Sequence, residues 1–351
     1  MGTTTHSTTH RRMKAFVKFI APDPDKEADM VDKAVEVKKK IKEKAEKDGL
    51  TVIATPWSGS YAKKTGLRRF LRGNSAVEGQ DIDLPIILEK PNDGGKKIKD
   101  LIPRFKKYIE EAYPNKKDTI RVTKKSVKFN LTDELSFDIV PMFDSGKIDE
   151  QIIITTEGEV IQTSINKHTQ FITNRTDRSN KIQGVVQFNE CVRLMKWWRE
   201  FQANSDGAYY LKANTDPDKD KRPSSMLIEL LCAWAFDELS VQKTYADTLS
   251  AWTAFLANQV KNRVAISFED FTKNPKPDPK HYWSVLDPVT ADNNVVSSWD
   301  KDKVEELAEW LFTAKDTWQR IDRLTNDGED SKCLDELVKL FGNPFRNNSE
   351  Y

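Results

Sequence analysis

Cysteine is scarce: Cys191, Cys232 and Cys333 are the only three in 351 residues, and none forms a CxxC pair. An odd count at such wide spacing excludes a disulfide framework and a cysteine zinc site, and it points to a reducing cytoplasm. Long apolar runs are also missing. The longest, Leu230 to Phe236, falls far short of the roughly 20 residues that span a bilayer, so no membrane segment is expected. No single charge dominates, since 56 Lys+Arg against 55 Asp+Glu leave a net charge of +1. That balance excludes a uniformly basic nucleic-acid wrapper, although a local patch can hide in a neutral total. The N-terminus, with Thr3, Thr4, Thr5, Thr8 and Thr9 ahead of Arg11, Arg12 and Lys14, lacks the apolar stretch and cleavage site of a secretory signal and is expected to be a frayed tail. What the chain does have is material for a core: 38% hydrophobic residues, with 17 Phe, 9 Trp and 8 Tyr. Disordered chains rarely carry so many large aromatics. The length predicts two lobes.

Between Lys26 and Lys47 the apolar residues Ala28, Val31, Ala34, Val37, Ile41 and Ala45 recur every three or four positions, which predicts an amphipathic helix closed by Gly49. Thr51–Ala54 reads as a short strand, and Gly59-Ser60 opens a second helical stretch ending near Arg72. Ile82–Leu88 reads as a strand and Ile98–Tyr113 as a helix interrupted at Pro103. Thr119–Asn130 and Glu134–Val140 read as two strands, with a further apolar run at Ile152–Thr155. After Asn166 strand signals vanish, and helices are predicted at Val185–Phe201, Ser225–Glu238, Thr244–Gln259, Lys301–Leu324 and Leu334–Phe341, with a polar loop from Ala203 to Arg222. The expected fold is therefore α+β: residues 1–165 form a mixed catalytic core with an N-terminal spine helix, and residues 166–351 form a helical lobe. Ligand sites favour the cleft between such lobes.

The chemistry concentrates in three segments: Trp57-Ser58-Gly59-Ser60-Tyr61, Asp81-Ile82-Asp83-Leu84 and Phe137-Asp138-Ile139-Val140. Alternation on a strand puts Asp81 and Asp83 on one face and Ile82 and Leu84 on the other. Asp138 shares a face with Ser136 and joins the cluster if the two strands are neighbours. Three gathered carboxylates repel unless a cation compensates them, and oxygen-rich sites of this kind suit Mg²⁺ or Mn²⁺ with substrate phosphates as further ligands. The Gly59-Ser60 turn, with free amides at a helix start and a hydroxyl, suits an anion. A lone Asp-Ile-Asp is more often a solvated strand end; the three pieces in this order favour a nucleoside triphosphate site.

This arrangement resembles the nucleotidyltransferases of the DNA polymerase β type. The helical half narrows the resemblance. Val192-Arg193-Leu194-Met195-Lys196-Trp197-Trp198, Pro223-Ser224-Ser225-Met226-Leu227-Ile228-Glu229-Leu230-Leu231 and Leu286-Asp287-Pro288 with Asn293-Asn294 are similar to three blocks of the 2′-5′-oligoadenylate synthetases, cyclic GMP-AMP synthase and the bacterial CD-NTases. Without the zinc-binding cysteines of the animal enzyme, the bacterial branch fits best. One departure is the 20 residues between Ser60 and Asp81, longer than the family pattern, so the stretch from Arg68 to Gln80 reads as an insertion.

The resemblance implies a two-metal nucleotidyltransferase that releases pyrophosphate. Asp81, Asp83 and Asp138 would be the catalytic aspartates and ligands of two Mg²⁺ or Mn²⁺ ions, and Gly59, Ser60, Lys196 and Ser225 would hold the donor triphosphate. The implied product is a cyclic di- or trinucleotide second messenger made from NTPs in antiphage defence and read by a downstream effector protein, with a nucleic-acid activator left open. The alternatives are linear oligoadenylate synthesis, nucleotide addition to RNA or protein, and a non-catalytic nucleotide or RNA sensor. Read from the residues alone, Lys196 is an ordinary solvated lysine and Ser225 a helix start. Asn166 and His168 read equally well as a hinge or as base contacts. Trp197, Trp198 and Trp234 at helical spacing read as core rather than base stackers, and Asp287-Pro288 with Asn293-Asn294 as a loop. The runs Lys38-Lys39-Lys40 and Lys124-Lys125 are expected to face water.

Overall fold

The computed structural model describes residues 8–68, 70–72, 75–77, 81–90, 100–132, 135–182, 185–202 and 223–350. The polar loop expected from Ala203 to Arg222 lies wholly outside them. Contacts divide the chain into two compact units, one built on Pro22–Arg72 and Ala76–Gln170, the other joining the N-terminal helix to the chain from Phe171 onward.

In the first unit, Asp23 caps helix α2 (Pro24–Lys47) by accepting from the Asp25 amide, with Pro24 in the first turn where its missing N–H costs nothing. The α2 stripe Met30, Ala34, Val37, Ile41 and Ala45 is buried. Strand β1 (Val52–Ala54) pairs antiparallel with β4 (Asp81–Leu88), and β4 pairs parallel with β7 (Ser136–Asp144). Then β6 (Val127–Asn130) and β5 (Arg121–Val122) extend the order to β1-β4-β7-β6-β5, while β8 (Gln151–Ile154) pairs with the end of β7 and β9 (Val160–Thr163) with β8. The parallel pair requires a crossover, and helix α4 (Leu101–Ala112) lies within it. Ile82, Leu84, Ile86 and Leu88 of β4 and Phe137, Ile139 and Phe143 of β7 enter one core with the stripes of α2 and α4. Alternation leaves Asp81, Asp83, Ser136 and Asp138 on the opposite face.

Several boundaries differ from the sequence expectation. The helix opening at Gly59 is α3 (Gly59–Ala62), four residues rather than a run to Arg72. It is stopped by a Schellman closure: Lys64 takes φ 55°, its amide bonds to Tyr61 O, and the Thr65 amide bonds to Ser60 O at 2.9 Å. Beyond it β2 (Phe70–Arg72) and β3 (Ser75–Val77) pair as a two-stranded sheet inside the insertion. Pro103 does not interrupt α4 because it sits in the first turn.

In the second unit the expected frayed tail is corrected. Residues from Thr8 form helix α1 (Thr8–Ile20), which buries Met13, Phe16, Val17 and Ile20. Phe16 packs against Trp197, Phe341 and Phe345 at ring separations of 5.5, 5.6 and 4.7 Å. Helix α5 (Ile165–Ile182) was not expected, and its final turns belong to this unit. Helices α6 (Phe188–Gln202), α7 (Ser225–Leu239), α8 (Tyr245–Lys261), α9 (Lys301–Asn326), α10 (Asp330–Phe341) and α11 (Asn343–Asn348) complete it. Ser224, Thr244 and Asp300 cap α7, α8 and α9 through their side-chain oxygens. Trp197 is fully buried and donates to Phe341 O at 3.0 Å, and Trp198 is buried beside it, so this pair fills a core. Trp234 is half-buried against Phe255. The cysteines are free and buried, and no described helix is long and apolar enough to cross a membrane.

Candidate active site

The register of three strands builds the site. Asp83 of β4 lies opposite Asp138 of β7, and Asp138 lies opposite Lys128 of β6. One row of the sheet therefore reads Lys128–Asp138–Asp83, and the next row places Ser136 opposite Asp81. Lys128 Nζ donates to Asp81 Oδ2 at 2.8 Å and reaches Asp138 Oδ2 at 3.2 Å, while Ser136 Oγ donates to Asp81 Oδ1 at 2.8 Å. The expected convergence of three acids is present in register, with a lysine among them. Among the described residues, no three His, Cys, Asp or Glu side chains stand close enough to hold an ion as they lie. Asp81 is engaged by Ser136 and Lys128.

The electrostatics follow from this crowding. Burial, then the neighbouring Asp138 and Asp81 carboxylates, push Asp83 up to about 7. Burial also raises Asp138, which is only 9% exposed, against the opposing pull of Lys128. Flanking carboxylates hold the Lys128 ammonium well above the usual lysine range despite its own burial.

Three observations fit a hard divalent cation here. The donors are carboxylate oxygens. Asp138 Oδ1 is buried and has no hydrogen-bond partner. Gly59 holds φ 61°, and a Cβ on it would stand 1.6 Å from Asp83 Oδ2, so only glycine leaves this carboxylate room. The anion site expected at the start of a helix after Gly59 is weakened, because four residues align few peptide dipoles. Ser60 remains beside Gly59, its carbonyl tied to Thr65.

Lys38 was expected in water; instead it is 8% exposed. From α2 it donates to Thr55 O at 2.8 Å and Pro56 O at 3.2 Å, and it lies 3.8 Å from the centroid of Trp57. It thus anchors the segment that leads into Gly59-Ser60. Burial lowers its pKa to about 8, which leaves it cationic at neutral pH. Lys38→Met is expected to cost about 1–3 kcal/mol, because two carbonyls lose their donor; a fall in melting temperature would show it. Lys39 is exposed, and Lys124 pairs with Glu157 and Glu159 at the surface.

The remaining candidates sit as follows. Lys196 is not a solvated lysine: it is 3% exposed and pairs with Glu229 at 2.7 Å. Ser225 begins α7 but does not cap it; Ser224 accepts from Leu227 N, and Ser225 Oγ accepts from Arg199 Nη1 at 3.0 Å. Asn166 donates to Asp149 at 2.6 Å, and the His168 amide donates to Ser164 O in the first turn of α5. Asp287 accepts from Val289 N and Thr290 N, and Asn294 accepts from Val285 N and Val296 N, which makes them loop builders. Sequence reasoning missed Lys128, and it missed that Arg199 and Glu229 hold Ser225 and Lys196. Lys128 had a readable signal, since it alternates with the buried Val127 and Phe129.

Comparison with known proteins shows what the chain is similar to. Residues 8–180 match the Second Messenger Oligonucleotide or Dinucleotide Synthetase domain. No curated protein matches the chain. Among solved structures, CdnC of E. coli MS115-1 bound to ATP is 24% identical over 96% of this chain and 98% of its own, with a TM-score of 0.71. The same protein in a complex with HORMA-deltaN gives 24% identity over 97% and 99%, with a TM-score of 0.70. The CD-NTase CdnG of Bradyrhizobium diazoefficiens in complex with GTP gives 14% over 98% and 98%, with a TM-score of 0.65. These likenesses establish a shared fold, the α+β polymerase β-like architecture with a helical C-terminal part. Residues 8–180, just under half of the chain, thus match the second messenger oligonucleotide or dinucleotide synthetase domain, and along nearly its whole length the chain's fold is similar to that of CdnC and of the CD-NTase CdnG.

Proposed function

We propose that this chain joins nucleoside triphosphates into a cyclic di- or trinucleotide second messenger, used in antiphage defence and read by a separate effector protein. The observation that carries the reading is the row Asp83–Asp138 beside Gly59, where an added Cβ would meet the Asp83 carboxylate first. In the transfer, a ribose hydroxyl oxygen forms a bond to the α-phosphorus of a second NTP, the bond from that phosphorus to pyrophosphate breaks, and the hydroxyl proton leaves. Asp138 is the chain's own acceptor for that proton, because its Oδ1 is buried without a partner and burial raises its basicity. Asp81, Asp83 and Asp138 would hold Mg²⁺ or Mn²⁺, which supplies charge neutralisation for the triphosphate and acidifies the attacking hydroxyl. Gly59 and Ser60 approach the donor phosphates through backbone and hydroxyl, and the family pattern adds Lys196 and Ser225. Repeating the step on the linear intermediate closes the ring.

The test is incubation with α-labelled ATP, GTP, CTP and UTP and Mn²⁺ or Mg²⁺, with and without added RNA or phage lysate. Label is expected in a new product with release of pyrophosphate, and Asp81→Ala with Asp83→Ala is expected to abolish both. No transfer under any of these conditions would overturn the enzymatic reading and leave a nucleotide sensor.

A further inference from the structure

Metal-free, the site has a problem that elementary electrostatics states plainly. Asp81, Asp83 and Asp138 occupy neighbouring positions on one face of two paired strands, and the Asp138 and Asp81 carboxylates raise the cost of ionising Asp83. Without metal, a cluster of this kind is stabilised by a positive charge held against the acids. The third strand of the row supplies it. Lys128 is placed opposite Asp138 by the β6–β7 register, and its ammonium touches two of the three acids, Asp81 at 2.8 Å and Asp138 at 3.2 Å. It approaches the oxygen set that a divalent cation would use. Its side chain is 42% exposed, so it has an open path to leave that position.

We propose that Lys128 is the built-in counter-cation of the aspartate cluster, which holds the acids together without metal and is displaced when a divalent cation binds. This positioning role rests on the metal reading above and adds one element to it: metal entry at this site is an exchange of one cation for another. The consequence is specific. A lysine that merely supported the site would, on removal, loosen the acids and weaken metal binding. A lysine that competes with the metal would, on removal, leave binding tighter.

The experiment uses the full chain stripped of metal at fixed pH and ionic strength, with Mn²⁺ alone as the probe. Binding is read by electron paramagnetic resonance of free Mn²⁺, and folding by circular dichroism melting. Lys128→Met is expected to bind Mn²⁺ about three- to tenfold more tightly than wild type, the size fitting a partly exposed ion pair. Its metal-free melting temperature is expected to fall and to be recovered by saturating Mn²⁺. Lys128→Arg, which keeps the charge, is expected to stay within about twofold of wild type in affinity. Equal or weaker Mn²⁺ binding by Lys128→Met overturns the proposal. If Lys128→Met is unfolded without metal, folding on Mn²⁺ addition supports it, and failure to fold with Mn²⁺ overturns it. Absence of Mn²⁺ binding in wild type removes the metal reading itself, a failure distinct from unchanged affinity in the variant.

Discussion

Gly59→Ala is expected to lose at least about 100-fold in nucleotidyl transfer, the scale on which a misplacement of about 1 Å costs activity. Two independent terms act against the alanine. Its backbone would sit at φ 61°, a left-handed conformation that costs an L residue with a Cβ roughly 1–2 kcal/mol. Its methyl would stand 1.6 Å from Asp83 Oδ2 and 2.6 Å from Asp83 Cγ, so the carboxylate has to move. Asp83 has little freedom to do so, because its backbone is held in register opposite Asp138 of β7. Gly146→Ala separates the two terms, since Gly146 also has positive φ, 81°, but nothing lies within 4 Å of an added Cβ. That variant is expected to pay the backbone strain in melting temperature and to keep its activity. Equal activity loss in both variants would assign the Gly59 effect to folding; retained activity in Gly59→Ala would contradict the placement of Asp83 at the reacting centre.

Asp83→Asn is expected to abolish transfer while making the metal-free protein more stable. Burial and two neighbouring carboxylates raise Asp83 from 3.8 to about 7, and at about 1.36 kcal/mol per pH unit this sets an upper bound of ~4 kcal/mol against its charged form. Relaxation leaves about 1–3 kcal/mol, or several degrees in melting temperature for a chain of this size. The sign follows from proton counting. Between pH 3.8 and about 7 the folded protein holds a proton on Asp83 that the unfolded chain has lost. The stability from this group is thus fully present below pH 3.8 and is lost as pH rises through 7. Melting curves at pH 6 and pH 8 should therefore differ for wild type and converge for Asp83→Asn, and Mn²⁺ should erase the wild-type penalty at pH 8. A less stable Asp83→Asn at pH 8 would contradict the crowding.

Much of this site was legible in order of residues. Alternation alone put Asp81 and Asp83 on one face, and the β4–β7 register then set Asp138 beside Asp83. The cation between them was not read, although Val127-Lys128-Phe129 carries the same alternation, because a lone lysine between apolar neighbours looks like any edge-strand lysine until register is known. Helix α1 was hidden by its threonine- and arginine-rich start, yet Met13, Phe16, Val17 and Ile20 have helical spacing and are buried. Helix α5 gave less to read: where an apolar stripe would continue past Ile172, it buries Arg175 and Ser179 instead, with Arg175 held by Asp237 and Asp270. Polar stripes satisfied by distant partners leave no periodicity in the sequence. Lys38 misled for the opposite reason, since a Lys-Lys-Lys run looks solvated while its first member turns inward to two carbonyls.

The central reading, that the chain closes nucleotides into a ring, is tested most directly by the mass of the product made from the four NTPs after phosphatase treatment. A cyclic product keeps one phosphate per nucleotide, resists phosphatase and has the mass of its nucleoside monophosphates less one water for each linkage, ring closure included. That species, absent with Asp138→Ala, is the expected result. A ladder of linear products that lose their terminal phosphates, or label attached only to RNA or protein, would contradict it.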